Sequence, residues 1–234
     1  MHAKKIRPRG QGRRALGNAC LEGGATLCLA MPPPYRTKIL IAADIFGVTT
    51  ELGQLAHALG SNATLASPHP GTRSFGSEAE AYASFMEHGG VAAYAKYLGE
   101  LMTGCGSCFE LALGFSAGAS ALWVCLAEAN LEPWLPKRAE LYYGSRIRDY
   151  SGLALRRQAR LTFAEHEASF DASALVERLR RLGHNALVLP GSRHGFMNPR
   201  SAGYDEALAA QETDRIQAVL EVGPYATRKR RNAR

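Results

Sequence analysis

The stretch Leu111-Ala112-Leu113-Gly114-Phe115-Ser116-Ala117-Gly118-Ala119-Ser120-Ala121 limits the choice of fold more than any other part of the chain. The apolar run from Phe109 to Phe115 has the length and flanks of a buried strand, and small apolar residues follow Ser116 at once. The implied order is strand, tight turn, helix. Glycines two residues before and two residues after the serine let the backbone bend sharply and let the helix pack close to neighbouring strands. The hydroxyl of Ser116 is then left at the tip of the turn, beside a helix N-terminus that favours developing negative charge. In a chain with 24 glycines the bare pattern arises easily by chance. The strand before it and the helix after it are what favour a nucleophile over a structural serine.

The other segments alternate in the same manner. Lys38 to Ala43 is a continuous apolar run suited to a strand buried on both faces, and it ends in Asp44-Ile45-Phe46-Gly47-Val48. Leu52, Leu55, Ala56 and Leu59 recur at helical spacing, and Gly60 stops that helix. A short strand over Ala63 to Ala66 leads into the turn-rich Ser67-Pro68-His69-Pro70-Gly71. Residues 78–103 read as two helices broken at Gly89-Gly90. After the Ser116 helix, at about 117–129, come a strand over Glu140 to Tyr143 and another over Arg160 to Ala164. Asp171 then caps a helix whose Leu175, Val176, Leu179 and Leu182 share one face, ended by Gly183. A last strand over Ala186 to Leu189 opens into a loop from Pro190 to Phe196, and an amphipathic helix covers about 204–221. This alternation predicts an α/β fold with a mostly parallel sheet and helices on both faces. Sites in such sheets lie at the carboxyl ends of the strands, and Asp44-Ile45, Ser116, Glu167 and His194 all follow strand ends.

Charge marks the expected boundaries. The net +7 comes from the tails, with six basic residues and no acid before Glu22 and five basic residues and no acid after Tyr225. The body between them carries about −4, which removes the electrostatic footprint of a nucleic-acid-binding domain. Residues 1–34 are therefore expected as a flexible basic extension, 35–223 as the folded domain, and 224–234 as a basic tail. No apolar stretch approaches the roughly 20 residues of a membrane span, and the N-terminal region lacks a secretory h-region. Five cysteines in a chain of this size argue against a disulfide framework. Cys105-x-x-Cys108 precedes a strand, unlike a redox pair, and no second pair completes a zinc site. A cytoplasmic protein is expected.

A serine hydroxyl needs a base to act as a nucleophile at neutral pH. His69, His166 and His194 all sit at strand ends, but only His194 completes the chain order serine, acid, histidine. The acid that fixes the histidine tautomer comes from the preceding strand end, where Glu165, Glu167 and Asp171 compete. Glu167 is favoured, because Asp171 has a capping task and Glu165 is still within reach of the strand. The backbone N–H groups of Ala117 and Ile45 are the candidate donors to a developing oxyanion.

From about Lys38 to Leu220 the chain resembles the dienelactone hydrolase family of α/β-hydrolases. The resemblance rests on Asp44-Ile45-Phe46-Gly47, Gly114-Phe115-Ser116-Ala117-Gly118, Tyr142-Tyr143-Gly144 and His194-Gly195-Phe196, in that order. It implies an α/β-hydrolase fold without a separate cap domain, with Ser116, Glu167 and His194 as catalytic residues and Ile45 and Ala117 as oxyanion donors. Three departures stand out. The family's dienelactone-cleaving members carry cysteine where this chain has Ser116. The family's glutamate that restrains the resting nucleophile is replaced by the shorter Asp44. The arginines that hold a substrate carboxylate are not plainly matched, although Arg73 and Arg200 lie in suitable loops.

Asp44, Tyr143 and Phe196 are the candidate substrate-binding residues, with Tyr142 and Met197 beside them. The expectation is a serine hydrolase cleaving a small ester, lactone or thioester, as monomer or homodimer, without metal or cofactor. The alternative is a non-catalytic binding protein on the same scaffold, its basic tails engaging an acidic partner.

Overall fold

The computed structural model describes residues 27–28, 38–60, 62–105 and 109–221. Six parallel strands lie in the spatial order β3-β2-β4-β5-β6-β7, where β2 is Lys38–Ala42, β3 Asn62–Ala66, β4 Leu111–Phe115, β5 Arg138–Tyr142, β6 Ala159–His166 and β7 Asn185–Arg193. A two-residue strand, β1 (Leu27–Cys28), pairs antiparallel with the outer edge of β3. The sheet thus begins inside the stretch expected to precede the domain. The rest of residues 1–34, all of the 224–234 tail, and Cys108 lie outside the described residues.

Both faces of the sheet are covered, which explains why its central strands read as unbroken apolar runs. Ile39 and Ile41 point to one face, where α1 (Thr50–Ala58) and α6 (Glu206–Glu221) contribute Ala56 and Ile216. Leu40 and Ala42 point to the other, packed by α3 (Gly90–Gly104), α4 (Ala117–Ala127) and α5 (Ala172–Arg181). The remaining helix, α2 (Glu78–Glu87), leads into α3 at Gly89-Gly90, both with positive φ. The cap expected at Asp171 is present, and two more are found. The Thr49 hydroxyl accepts from the Leu52 N–H, that of Ser77 from Glu80, and the Asp171 carboxylate from Ala174. Among the described residues no helix is long and apolar enough to cross a membrane.

Several boundaries differ from the sequence reading, β6 for one running on from Ala164 to His166. β4 starts at Leu111, although the Glu110 N–H still donates to Lys38 O and Phe109 O accepts from the Lys137 N–H. β5 ends at Tyr142, because Tyr143 leaves the strand at φ 40°. Pro190 to Arg193, expected as loop, continue β7 along β6. An edge strand tolerates Pro190, and the Ser192 hydroxyl accepts the Glu165 N–H where the register slips between Ala164 and His166.

A buried polar network ties α6 to the sheet. Arg215 reaches both Glu140 oxygens (2.7 and 3.2 Å), Glu212 (2.7 Å) and the Tyr142 hydroxyl (2.5 Å), while Arg160 reaches Glu212 at 3.1 Å. Burial works against the Glu212 carboxylate, but hydrogen bonds and charges from Arg215 and Arg160 outweigh it and hold its pKa below the usual value.

Close packing leaves no freedom at Gly118. A Cβ there would fall on the carbonyl oxygen of Ala42 and 2.6 Å from its carbon, while one at Gly114 would stand 2.6 Å from Ala119 Cα. Gly118→Ala is expected to lower stability by about 1–3 kcal/mol or more, read from urea unfolding. The Glu212 pairing contributes fully above an ordinary glutamate pKa of about 4.3 and is lost as pH falls through its depressed native value. Glu212→Gln should therefore flatten the acid limb of a stability–pH curve; an unchanged limb would refute this assignment.

Candidate active site

Ser116 occupies the turn between β4 and α4 at φ 48°, ψ −106°, a region that residues with a side chain seldom adopt. Its main chain is held from both sides. The Ser116 N–H donates to Tyr142 O (3.0 Å), extending the β4–β5 ladder, and its carbonyl accepts from the Ser120 N–H and hydroxyl, each at 3.0 Å. The half-buried Oγ is left facing His194, 2.9 Å from Nε2.

His194 follows β7, and its carbonyl accepts from the Ser201 hydroxyl at 3.2 Å. Gly195 turns the chain beneath it at φ 79°, where a Cβ would collide with Ser201. The imidazole stands edge-on to the Tyr143 ring, with centroids 5.2 Å apart. Its Nδ1 lies 3.0 and 2.9 Å from the two oxygens of Glu167, whose side chain is only 3% exposed. A carboxylate can only accept, so Nδ1 carries the proton and the Nε2 of the neutral ring faces the Ser116 hydroxyl as an acceptor. The structure thus brings Ser116, His194 and Glu167 into one hydrogen-bonded row.

The other two candidate acids are engaged elsewhere. Glu165 lies within β6 and accepts the Gly191 N–H at 2.7 Å, and Asp171 caps α5. Glu167, the first residue after β6, is released from the ladder and turned towards the histidine.

Ile45 and Ala117 border the same cavity as Ser116 and His194, of about 230 Å³. Neither N–H has a protein acceptor among the described residues. That of Ala117 is one of the unpaired donors opening α4. The loop carrying Ile45 is anchored where β2 and β3 end, the Tyr94 hydroxyl lying 2.8 Å from Ala66 O and 3.3 Å from Ala43 O. Asp44 is buried, accepting the Phe46 N–H (2.9 Å) on one oxygen and the Asn198 amide (2.6 Å) on the other. Burial raises its pKa, against the opposing pull of Asn198, Phe46 and His194.

The candidate substrate-side residues fall differently. Phe196 is fully buried and Tyr143 nearly so, their rings edge-on at 5.2 Å in a packed layer beneath the rim. Tyr143 and Asp44 border a separate, smaller hollow with Leu52 and Met197. Arg200 pairs with Glu51 at 3.0 Å and Arg73 reaches the Ser84 hydroxyl at 3.3 Å, so neither borders the cavity beside Ser116. That cavity is walled instead by Glu78, Tyr82 and Phe85 of α2 and by Ser145 and Arg146 after β5. Arg146 donates to the Tyr82 hydroxyl at 2.7 Å, joining two of these lining residues. Nothing in the sequence marks these residues, because which face of α2 meets the strand ends is decided only by the packing of α2.

No family model matches the chain. It is 35% identical over 98 residues to the uncharacterized protein YczH of Bacillus subtilis (strain 168), a match spanning 41% of this chain and 46% of that one. Among solved structures it is similar to a protein designated a dienelactone hydrolase from Klebsiella pneumoniae, with 17% identity, coverage of 80% and 87% of the two chains, and a TM-score of 0.60. It is similar to the dienelactone hydrolase-like promiscuous phosphotriesterase P91 from metagenomic libraries (16% identity, 80% and 86%, TM-score 0.60). The same holds for the esterase PE8 (13% identity, 85% and 100%, TM-score 0.53). At such identities the likeness is one of architecture: the chain has the α/β-hydrolase fold, shared with dienelactone hydrolase-like proteins and esterases, with no separate cap domain among the described residues.

Proposed function

We propose that this protein is a serine hydrolase of the dienelactone hydrolase-like group, cleaving a small ester, lactone or thioester through an acyl-enzyme at Ser116. The observation that carries the reading is the row from Ser116 Oγ through both nitrogens of His194 to Glu167, each link 2.9–3.0 Å long. A catalytic base must stand within hydrogen-bond reach of the proton it takes, and this one does.

The chemistry follows from that row. Ser116 Oγ attacks the carbonyl carbon while its proton passes to His194 Nε2, and Glu167 stabilises the imidazolium through Nδ1–H. The carbonyl oxygen becomes an oxyanion, met by the N–H groups of Ala117 and Ile45. Collapse expels the alcohol or thiol, which takes the proton from His194. Water then gives a proton to His194 and attacks the acyl carbon. The acid is released and Ser116 recovers its proton.

The cavity of about 230 Å³ suits a short acyl group, and Tyr82 and Arg146 form part of its wall. Similarity to structures described as esterases supports the same reading.

Incubation with a fluorophosphonate probe is expected to label the wild type and leave Ser116→Ala unlabelled. A wild type that resists labelling and turns over no short-acyl nitrophenyl ester would overturn the proposal in favour of a non-catalytic scaffold. Glu167→Gln keeps the side-chain shape but removes the charge opposite the imidazolium. It should lower kcat by about 10²–10⁴-fold with little change in KM, measured on a short-acyl nitrophenyl ester.

A further inference from the structure

His69 lies outside the row just described, yet it is 2% exposed and touches the loop that carries Ile45. Its Nε2 stands 2.6 Å from the Ile45 carbonyl oxygen. A carbonyl only accepts, so Nε2 must carry the proton. The other ring nitrogen, Nδ1, lies 3.3 Å from the Ser84 hydroxyl, whose oxygen in turn accepts from Arg73 at 3.3 Å. The His69 main-chain N–H donates to Ser67 Oγ (3.1 Å), and the Phe75 ring covers the imidazole at 4.6 Å between centroids. Tautomer and ring orientation are therefore both fixed. Burial holds the ring neutral, outweighing the bond to Ile45 O, which favours the charged form.

The peptide unit that His69 grips is also held at its other end. The Ile45 carbonyl and the Phe46 N–H belong to one planar group, and that N–H donates to buried Asp44 Oδ1 at 2.9 Å. With both ends of that plane clamped, ψ of Ile45 is restrained, and the preceding plane, which carries the Ile45 N–H, is held separately by the Gly47 N–H donating to Asp44 O at 3.0 Å. The Ile45 N–H, without a protein acceptor among the described residues, thus sits between two restrained planes in a residue that borders the cavity beside Ser116.

We propose that His69 is a positioning residue for the Ile45 oxyanion donor, acting through its Nε2–H bond to the Ile45 carbonyl and paired with Asp44 on the same peptide plane. The inference rests on the hydrolase reading above and adds to it a group distant in sequence from Ser116, Glu167 and His194. His69 touches neither substrate nor reacting atoms. Its effect falls on the transition state, where the oxyanion exists, and spares ground-state binding.

Two substitutions of matched polarity separate this role from a general need for a buried polar side chain. Glutamine can place an amide N–H where Nε2–H stands; asparagine reaches only the Nδ1 position and leaves the Ile45 carbonyl unmet. On a short-acyl nitrophenyl ester, His69→Gln is expected to keep kcat within about threefold of wild type. His69→Asn should lose about tenfold or more, short of the 10²–10³ that follows deletion of a donor, with KM within about twofold in both. Fluorophosphonate labelling rates should fall in the same order. Equal losses in the two variants, no loss in His69→Asn, or a change confined to KM would overturn the inference while leaving the hydrolase reading intact. A wild type without Ser116-dependent turnover would remove both.

Discussion

A serine with left-handed backbone torsions is the constraint on which the site depends. The conformation is unfavourable in itself, and it persists because α4 cannot relax away from the sheet. Gly118 rides against the carbonyl of Ala42 and Gly114 against the backbone of Ala119, so helix and strands meet with no side chain between them. That contact aims the Ser116 hydroxyl outward and leaves the Ala117 N–H unpaired beside it. The outward hydroxyl and the unpaired N–H beside it are thus consequences of the same backbone geometry. Neither needs a separate device.

Parallel strands do the rest. Because β2, β4, β6 and β7 all point the same way, the residues that follow them collect on one rim although they are far apart in the chain. What the rim adds is fine adjustment. β6 ends at His166, which leaves Glu167 outside the ladder, and the Asn198–Asp44 contact closes the last loop onto the first. The charged network of Glu140, Glu212, Arg160 and Arg215 fastens α6 to the sheet and holds the hydroxyl of Tyr142, whose carbonyl accepts the Ser116 N–H.

Much of this architecture was legible in the sequence, and the reasons are physical. A strand buried on both faces must be apolar throughout, which made Ile39 to Ala42 and Leu111 to Phe115 recognisable. Caps and glycine stops made most helix ends readable, as at Asp171 and Gly60. The end of β7 was not readable, since Pro190-Gly191 is ordinarily a turn signal and only an edge position makes it compatible with a strand. The candidate site was legible in part. The order in which Ser116, Glu167 and His194 follow their strands can be read from a chain; the 2.9 Å separations cannot. Phe196 has the composition of a pocket residue, yet the fold sinks it beneath the rim. Tyr82, Phe85 and Arg146 carry no local signal, because their shared position depends on how α2 lies over the strand ends. His69 looked like one more loop histidine, since its partner is a main-chain carbonyl 24 residues away.

The contact between Asn198 and Asp44 spans 154 positions of sequence, and Ser116 and His194 are 78 apart. During synthesis the ribosome therefore releases the serine turn, and the loop holding Ile45, long before the imidazole that would complete the row. A nascent chain halted between Ser116 and the end of β7 has the hydroxyl but no imidazole opposite it. In such a fragment the hydrogen-bonded row of Ser116, His194 and Glu167 is incomplete, and it forms only once the last strand has been added.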